Sequence, residues 1–182
     1  MESSQERFPL LALRRSGGVW EASGRSSARL GNLVGEDSQP HLPSAGWSYE
    51  QGMLTAYSDR HGFVPIYYYD GPKGFGVAGS WVHLQQHFEL DRFDDGAIAC
   101  YLRLGHYLAD DTPFEGVRRM PPNSVLLWSE GTCRIQEAES GIPAPTRIDR
   151  REAIAEYGKR FQRAMESILH ARILAPIVLI SG

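Results

Sequence analysis

Few side chains in this chain have the type and spacing that chemistry demands. His83 and His87 stand four apart, which puts both imidazoles on one helix face as two ligands of a metal would be. The intervening Leu84-Gln85-Gln86 carries no glutamate of the kind a zinc-protease helix uses, so solvated or capping histidines are expected instead. Asp94-Asp95 and Asp110-Asp111 are acidic pairs at element starts, where aspartate caps a helix or opens a turn. Arg118-Arg119 has the forked donors that clamp a phosphate or carboxylate, and a loop contact between two domains is the plainer expectation. Tyr67, Tyr68 and Tyr69 alternate across a strand, one face to the core and the other to the surface. Cys100 and Cys133 have neither zinc-ligand spacing nor a disulfide-framework count, and each reads as a small buried hydrophobe. Ser181-Gly182 follows an apolar run directly, where small residues open a phosphate-binding turn beyond the carboxyl end of a strand.

The elements that must hold these residues come mostly as short strands. Nineteen Gly and eleven Pro in 182 residues imply many turns. Phe8–Arg15 and Val19–Ala22 predict a hairpin about Ser16-Gly17-Gly18. Residues 23–50 have little periodicity and read as loop and irregular edge structure. Met53–Tyr57, Val64–Tyr69 and Phe75–Ala78 are rich in aromatic and β-branched residues and predict three strands of one antiparallel sheet. Ser80 starts a short helix through His87, and Asp94 or Asp95 starts a second whose apolar side is Ile98, Ala99, Tyr101, Leu102 and Leu104, ending at Gly105. A proline-rich connector over 110–124 leads to a second hairpin, Ser124–Trp128 with Thr132–Gln136. After a linker over 138–148, Asp149 and Glu152 resemble a capping box for a long amphipathic helix with Ile154, Tyr157, Phe161, Ala164, Met165, Ile168 and Leu169 on its apolar face. Ala175 to Gly182 is then an apolar strand of the kind buried on both faces of a parallel sheet.

Whole-chain properties narrow the function classes. The composition is globular, 42% hydrophobic and 23% charged, with a net charge of −3 and thus no basic surplus for a nucleic-acid backbone. The longest apolar run, Ile173–Ile180, falls far short of the ~20 residues needed to cross a bilayer. The start, Met1-Glu2-Ser3-Ser4-Gln5-Glu6, lacks a signal peptide's basic and apolar segments, so a cytoplasmic protein without nucleic-acid or membrane partners is expected. The terminal apolar strand has no following segment to cover it, and the chain is expected to be truncated.

Four stretches, in order, resemble the asparagine synthase-like amidotransferases. Asp59-Arg60-His61-Gly62-Phe63-Val64-Pro65-Ile66-Tyr67-Tyr68 is similar to that family's strand-turn-strand element. Ala78-Gly79-Ser80 with its helix is similar to the next element, although Trp81 and His83 depart from the usual polar pattern. Asp94–Gly105 followed by Thr112–Ser124 is the most distinctive match, and the helix from Asp149 with the strand to Gly182 resembles the start of the synthetase domain. The resemblance spans Ser58 to Gly182.

It implies an α+β chain. Residues 1–137 would form an incomplete four-layer sandwich of the N-terminal-nucleophile-hydrolase type, and 138–148 a linker. Residues 149–182 would be the first helix and strand of an α/β ATP-pyrophosphatase domain, with Ser181 and Gly182 opening its phosphate loop. The intact family enzyme uses ATP and magnesium; for this chain alone no cofactor is expected. Glutamine hydrolysis in the family needs an N-terminal cysteine, whose place Glu2 takes here, and no Asn-Gly-Glu loop or Gly-x-Phe-Ala-Phe strand is found. An inactive glutaminase-like domain is therefore expected, with no catalytic residue, joined to the remainder of a synthetase domain or to a synthetase subunit. The rival expectations are a non-catalytic scaffold that docks such a partner, and a shifted start that has lost the cysteine upstream.

Overall fold

Three of the connections are two-residue turns whose backbone demands a positive φ. In the computed structural model, which describes residues 9–31, 44–138 and 147–170, Gly17-Gly18 joins β1 (Leu10–Ser16) to β2 (Val19–Gly24) with φ of 58° and 87°. Glu130-Gly131 repeats this φ pattern, 50° and 84°, between β9 (Ser124–Ser129) and β10 (Thr132–Glu137). These are type I′ angles, whose twist matches that of the paired strands. Gln51-Gly52 does the same between β4 (Ser44–Glu50) and β5 (Met53–Tyr57).

The remaining strands are β3 (Ser27–Gly31), β6 (Tyr67–Gly71), β7 (Gly74–Ala78) and β8 (Val117–Arg119), and the helices are α1 (Trp81–Phe88), α2 (Asp95–Leu104) and α3 (Arg150–His170). The chain is α+β, with two five-stranded antiparallel sheets of order β2-β1-β7-β6-β8 and β10-β9-β5-β4-β3. It divides into two units, the first carrying both sheets with α1 and α2, the second carrying α3.

Inside the first unit one core lies between the sheets. Leu11, Leu13, Phe75 and Val77 come from the first sheet and Trp47, Leu54, Leu126 and Trp128 from the second. The other core lies between the first sheet and α1, where Leu84 and Phe88 pack on Ala12, Tyr69, Ala78 and Val117. Both faces of the first sheet are thus covered. The outer face of the second is open, so among the described residues the layers number three rather than four.

Several expectations need correction. Residues 23–50 are not irregular, since β3 and β4 lie there; Ser, Gly and Ala dilute their hydrophobicity, yet Ala45 and Trp47 alternate inward. Met53–Tyr57 does not share a sheet with the two strands after it, because residues 58–66 cross from one sheet to the other and Val64–Ile66 is part of that crossing. The connector over 110–124 contains β8, which pairs with β6. The apolar side of α2 is exposed at Tyr101, Leu102 and Leu104, and only Ala97 of that helix is buried.

In the second unit, α3 is laced by an Arg160–Glu156 ion pair at 2.8 Å and a Gln162–Glu166 hydrogen bond at 2.8 Å, both four apart. Its Ile154, Tyr157 and Phe161 are exposed. Among the described residues no helix is long and apolar enough to cross a membrane. The strand expected from Ala175, with Ser181 and Gly182, lies outside the described residues, as does most of the linker over 138–148.

Candidate functional site

The crossing between sheets is the most heavily hydrogen-bonded irregular segment of the first unit. Asp59, 6% exposed, turns both carboxylate oxygens onto main-chain donors, with the N–H of His61 at 2.9 Å and that of Val64 at 2.7 Å. Its carbonyl accepts from the N–H groups of Gly62 and Asn123. Burial works to raise the Asp59 pKa, but the amide donors outweigh it and hold the carboxyl below the usual carboxylate range. Arg119 donates to the Gly62 carbonyl, and the Ser58 and Ser124 hydroxyls each reach the Pro121 carbonyl at 2.6 Å. Gly62 has a φ of +69°, and a Cβ there would press on Pro122 at 3.2 Å and Arg119 at 3.3 Å. The loop therefore presents Phe63, 71% exposed, from a braced backbone. A carboxylate saturated with amide donors is a structural anion and is not placed to take a substrate proton.

The expected site residues separate into different places. Asp94, Asp111 and Arg118 come together. Asp94 Oδ1 accepts from Ala97 N–H at 3.0 Å as the cap of α2, while its Oδ2 lies 3.4 Å from Arg118. Asp111 lies 3.7 Å from the same guanidinium. The Ala97 amide, then burial acting the other way, then Arg118 leave the Asp94 pKa lowered. Arg118 and Arg119 thus tie α2 and the crossing to β8 inside the first unit.

Nor are the two helix histidines simply solvated. His83 is half-buried, and His87 has a buried Nε2 with no hydrogen-bond partner and its ring 5.0 Å edge-on to Phe88. Burial, then the charge of Arg14, lowers the His87 pKa. Arg14 donates to the His87 carbonyl at 2.7 Å and lies over the Phe88 ring, clamping the end of α1 to β1. Among the described residues no group of three His, Cys, Asp or Glu could hold a metal ion.

Cys100 lies in α2, half-buried. Cys133 packs from β10 against the inter-sheet core, where burial, with a smaller push from Asp70, raises its thiol to about 11. It is protonated at neutral pH and thus a poor nucleophile. Tyr68 faces the same core, its phenol pushed to about 12 chiefly by burial, while Tyr67 and Tyr69 pack on the helix side. The alternation is core against core, not core against surface, because α1 covers the second face.

Among the described residues, two further depressions stand out. A cleft of about 220 Å³ beside the β6–β7 turn is lined by Asp70, Lys73, Asp91, Arg92 and Glu115, with an Arg92–Glu115 ion pair at 3.3 Å closing one side. A groove of about 500 Å³ runs over the open face of the second sheet at Met53, Thr55, Leu127, Ser129 and Arg134. Sequence reasoning missed this groove. Its signal was present in Met53-Leu54-Thr55-Ala56-Tyr57, where apolar residues occupy both phases of the alternation.

Comparison of the chain with protein-family models and with curated proteins gave no match in either.

Proposed function

We propose that the first unit is a catalytically silent, glutaminase-like domain of an asparagine synthase-like, ATP-dependent amide-forming ligase. The observation that supports this most is the pairing of two antiparallel sheets face to face, with helix α1 on one of them. That arrangement accords with an incomplete N-terminal-nucleophile-hydrolase sandwich. The stretch Asp59–Tyr68, which resembles the family's strand-turn-strand element, makes the crossing between the sheets. Cys133 is a half-buried, protonated thiol within a strand and Cys100 lies within a helix, so neither has the exposed terminal placement that the glutaminase reaction needs.

On this reading the nucleophile is ammonia or a substrate amine rather than nitrogen released from glutamine. ATP with magnesium supplies activation of the carboxylate in that family, and Ser181 with Gly182 would open the loop that holds its phosphates. The partner is the rest of the synthetase domain or a synthetase subunit. A scaffold reading is favoured by one observation, the exposed apolar side of α2 at Tyr101, Leu102 and Leu104.

The deciding experiment follows the native gene product with an antibody to residues 58–137. The ligase reading expects a band well above 20.3 kDa whose purified protein releases pyrophosphate from ATP with ammonia and yields no glutamate from glutamine. A 20.3 kDa band that co-elutes with a synthetase subunit supports the scaffold. Glutamate release from glutamine overturns the silent-domain assignment.

A further inference from the structure

We propose that the open face of the second sheet is a self-association surface that takes the same face of a second copy of this chain. The first sheet is covered on both sides, whereas the central strands β9 and β5 turn Leu127, Met53 and Tyr57 outward, 39%, 59% and 38% exposed. Two adjacent strands make a stripe about 10 Å wide. The register places Arg134 of β10 directly beside Leu127, and Glu50 of β4 directly beside Met53, so the two charges flank the stripe from opposite sides.

The placing of those charges argues for a second copy as the occupant. A two-fold axis parallel to the strands and midway between β9 and β5 sets β9 over the second copy's β5, and β10 over its β4. Apolar stripe then meets apolar stripe. Arg134 comes over Ser48 of the second copy, one same-face step of about 7 Å along the strand from its Glu50, across a sheet separation of about 10 Å that the two long side chains can bridge. The same contact forms twice by symmetry. A face carrying one sign of charge would repel its own copy; this one is self-complementary. The area is modest, about 20 Å by 20 Å on each copy, below that of standard stable interfaces and in the range of weak, transient ones, so the dimer should be concentration-dependent.

Sedimentation velocity of the full chain over two decades of concentration tests this. The expected result is a monomer–dimer equilibrium that Leu127→Asp abolishes. Arg134→Glu and Glu50→Arg should each weaken it about tenfold, and the two together should restore it. Both charge changes sit at exposed positions, so these variants remain informative if Leu127→Asp fails to fold. A monomer at every concentration overturns the proposal. So does a dimer indifferent to Leu127→Asp, or a double variant no better than its parents.

Discussion

Asp59 has its two oxygens occupied by amides two and five residues ahead and its own carbonyl by two more. Asp59→Ala should cost about 2 kcal/mol, since hydrogen bonds to a charged group are worth ~1.5–3 kcal/mol and the freed donors are only part-buried. Asp59→Asn should cost less, because one acceptor oxygen survives. The native carboxyl titrates below its unfolded value, so its contribution is present above about pH 4 and is lost as the pH falls through that lower native value. Urea midpoints at neutral pH and near pH 3 would show wild type and Asp59→Ala converging in acid. His87 acts in a different window. Its native pKa is lowered, so as the pH falls below about 6.5 the unfolded chain takes the proton first and stability declines until the native imidazole is protonated too. His87→Gln should remove that component of the pH dependence between neutral and mildly acid conditions, and an unchanged profile would sink the assignment. At this scale the sequence was partly legible. Asp59 and Gly62 are residue types that form a turn with Asx side-chain bonds, but Arg119 and Asn123, some sixty residues on, could not be attached to it by pattern alone.

Elements whose information is local were read well, and those defined by distant partners were not. Asp94 and Gly105 mark the ends of α2 with a side-chain cap and a left-handed residue, both visible as residue types. The β1–β2 and β9–β10 turns announced themselves through glycine, whereas the Gln51-Gly52 turn did not, because the sequence of β4 before it reads as loop. The assignment of β5 to a different sheet from β6 and β7 depends on its pairing with β9, about seventy residues away, which no local period encodes. The seating of α1 on the first sheet shows the same dependence. Gly76 of β7 lies under the Phe88 ring, where a Cβ would come within 2.7 Å of the ring and 3.2 Å of the Leu11 carbonyl. Glycine lets the helix approach that closely. Gly76→Ala should destabilise the first unit by about 1–3 kcal/mol through overpacking. The smaller side chain of Phe88→Leu should relieve part of that cost when the two changes are combined. A double-mutant cycle from urea unfolding checks this; strict additivity would mean that the two residues do not meet as described.

At the scale of the whole chain, the two cores have one notable common property. Among the described residues, every buried residue in them, and every partly buried hydrophobic packed against them, falls between Leu10 and Cys133. Hydrophobic burial is the main favourable term in folding, so a unit that carries the described members of both cores is expected to fold alone. The long amphipathic helix has the opposite character. Helices in proteins draw most of their stability from packing an amphipathic face, and Ile154, Tyr157 and Phe161 are exposed along this one. A chain ending at residue 148 should therefore keep a single cooperative unfolding transition with a urea midpoint close to that of the full chain. Near-ultraviolet circular dichroism should retain the signature of the packed aromatics, with Trp20 at 4.9 Å and Phe75 at 5.4 Å from Trp128 between the sheets. Loss of cooperativity in the shortened chain would mean that the second unit stabilises the first through contacts outside both cores. A preserved transition would place the weight of folding on the sandwich, and would leave α3 as an element that needs a further structure to cover its apolar face.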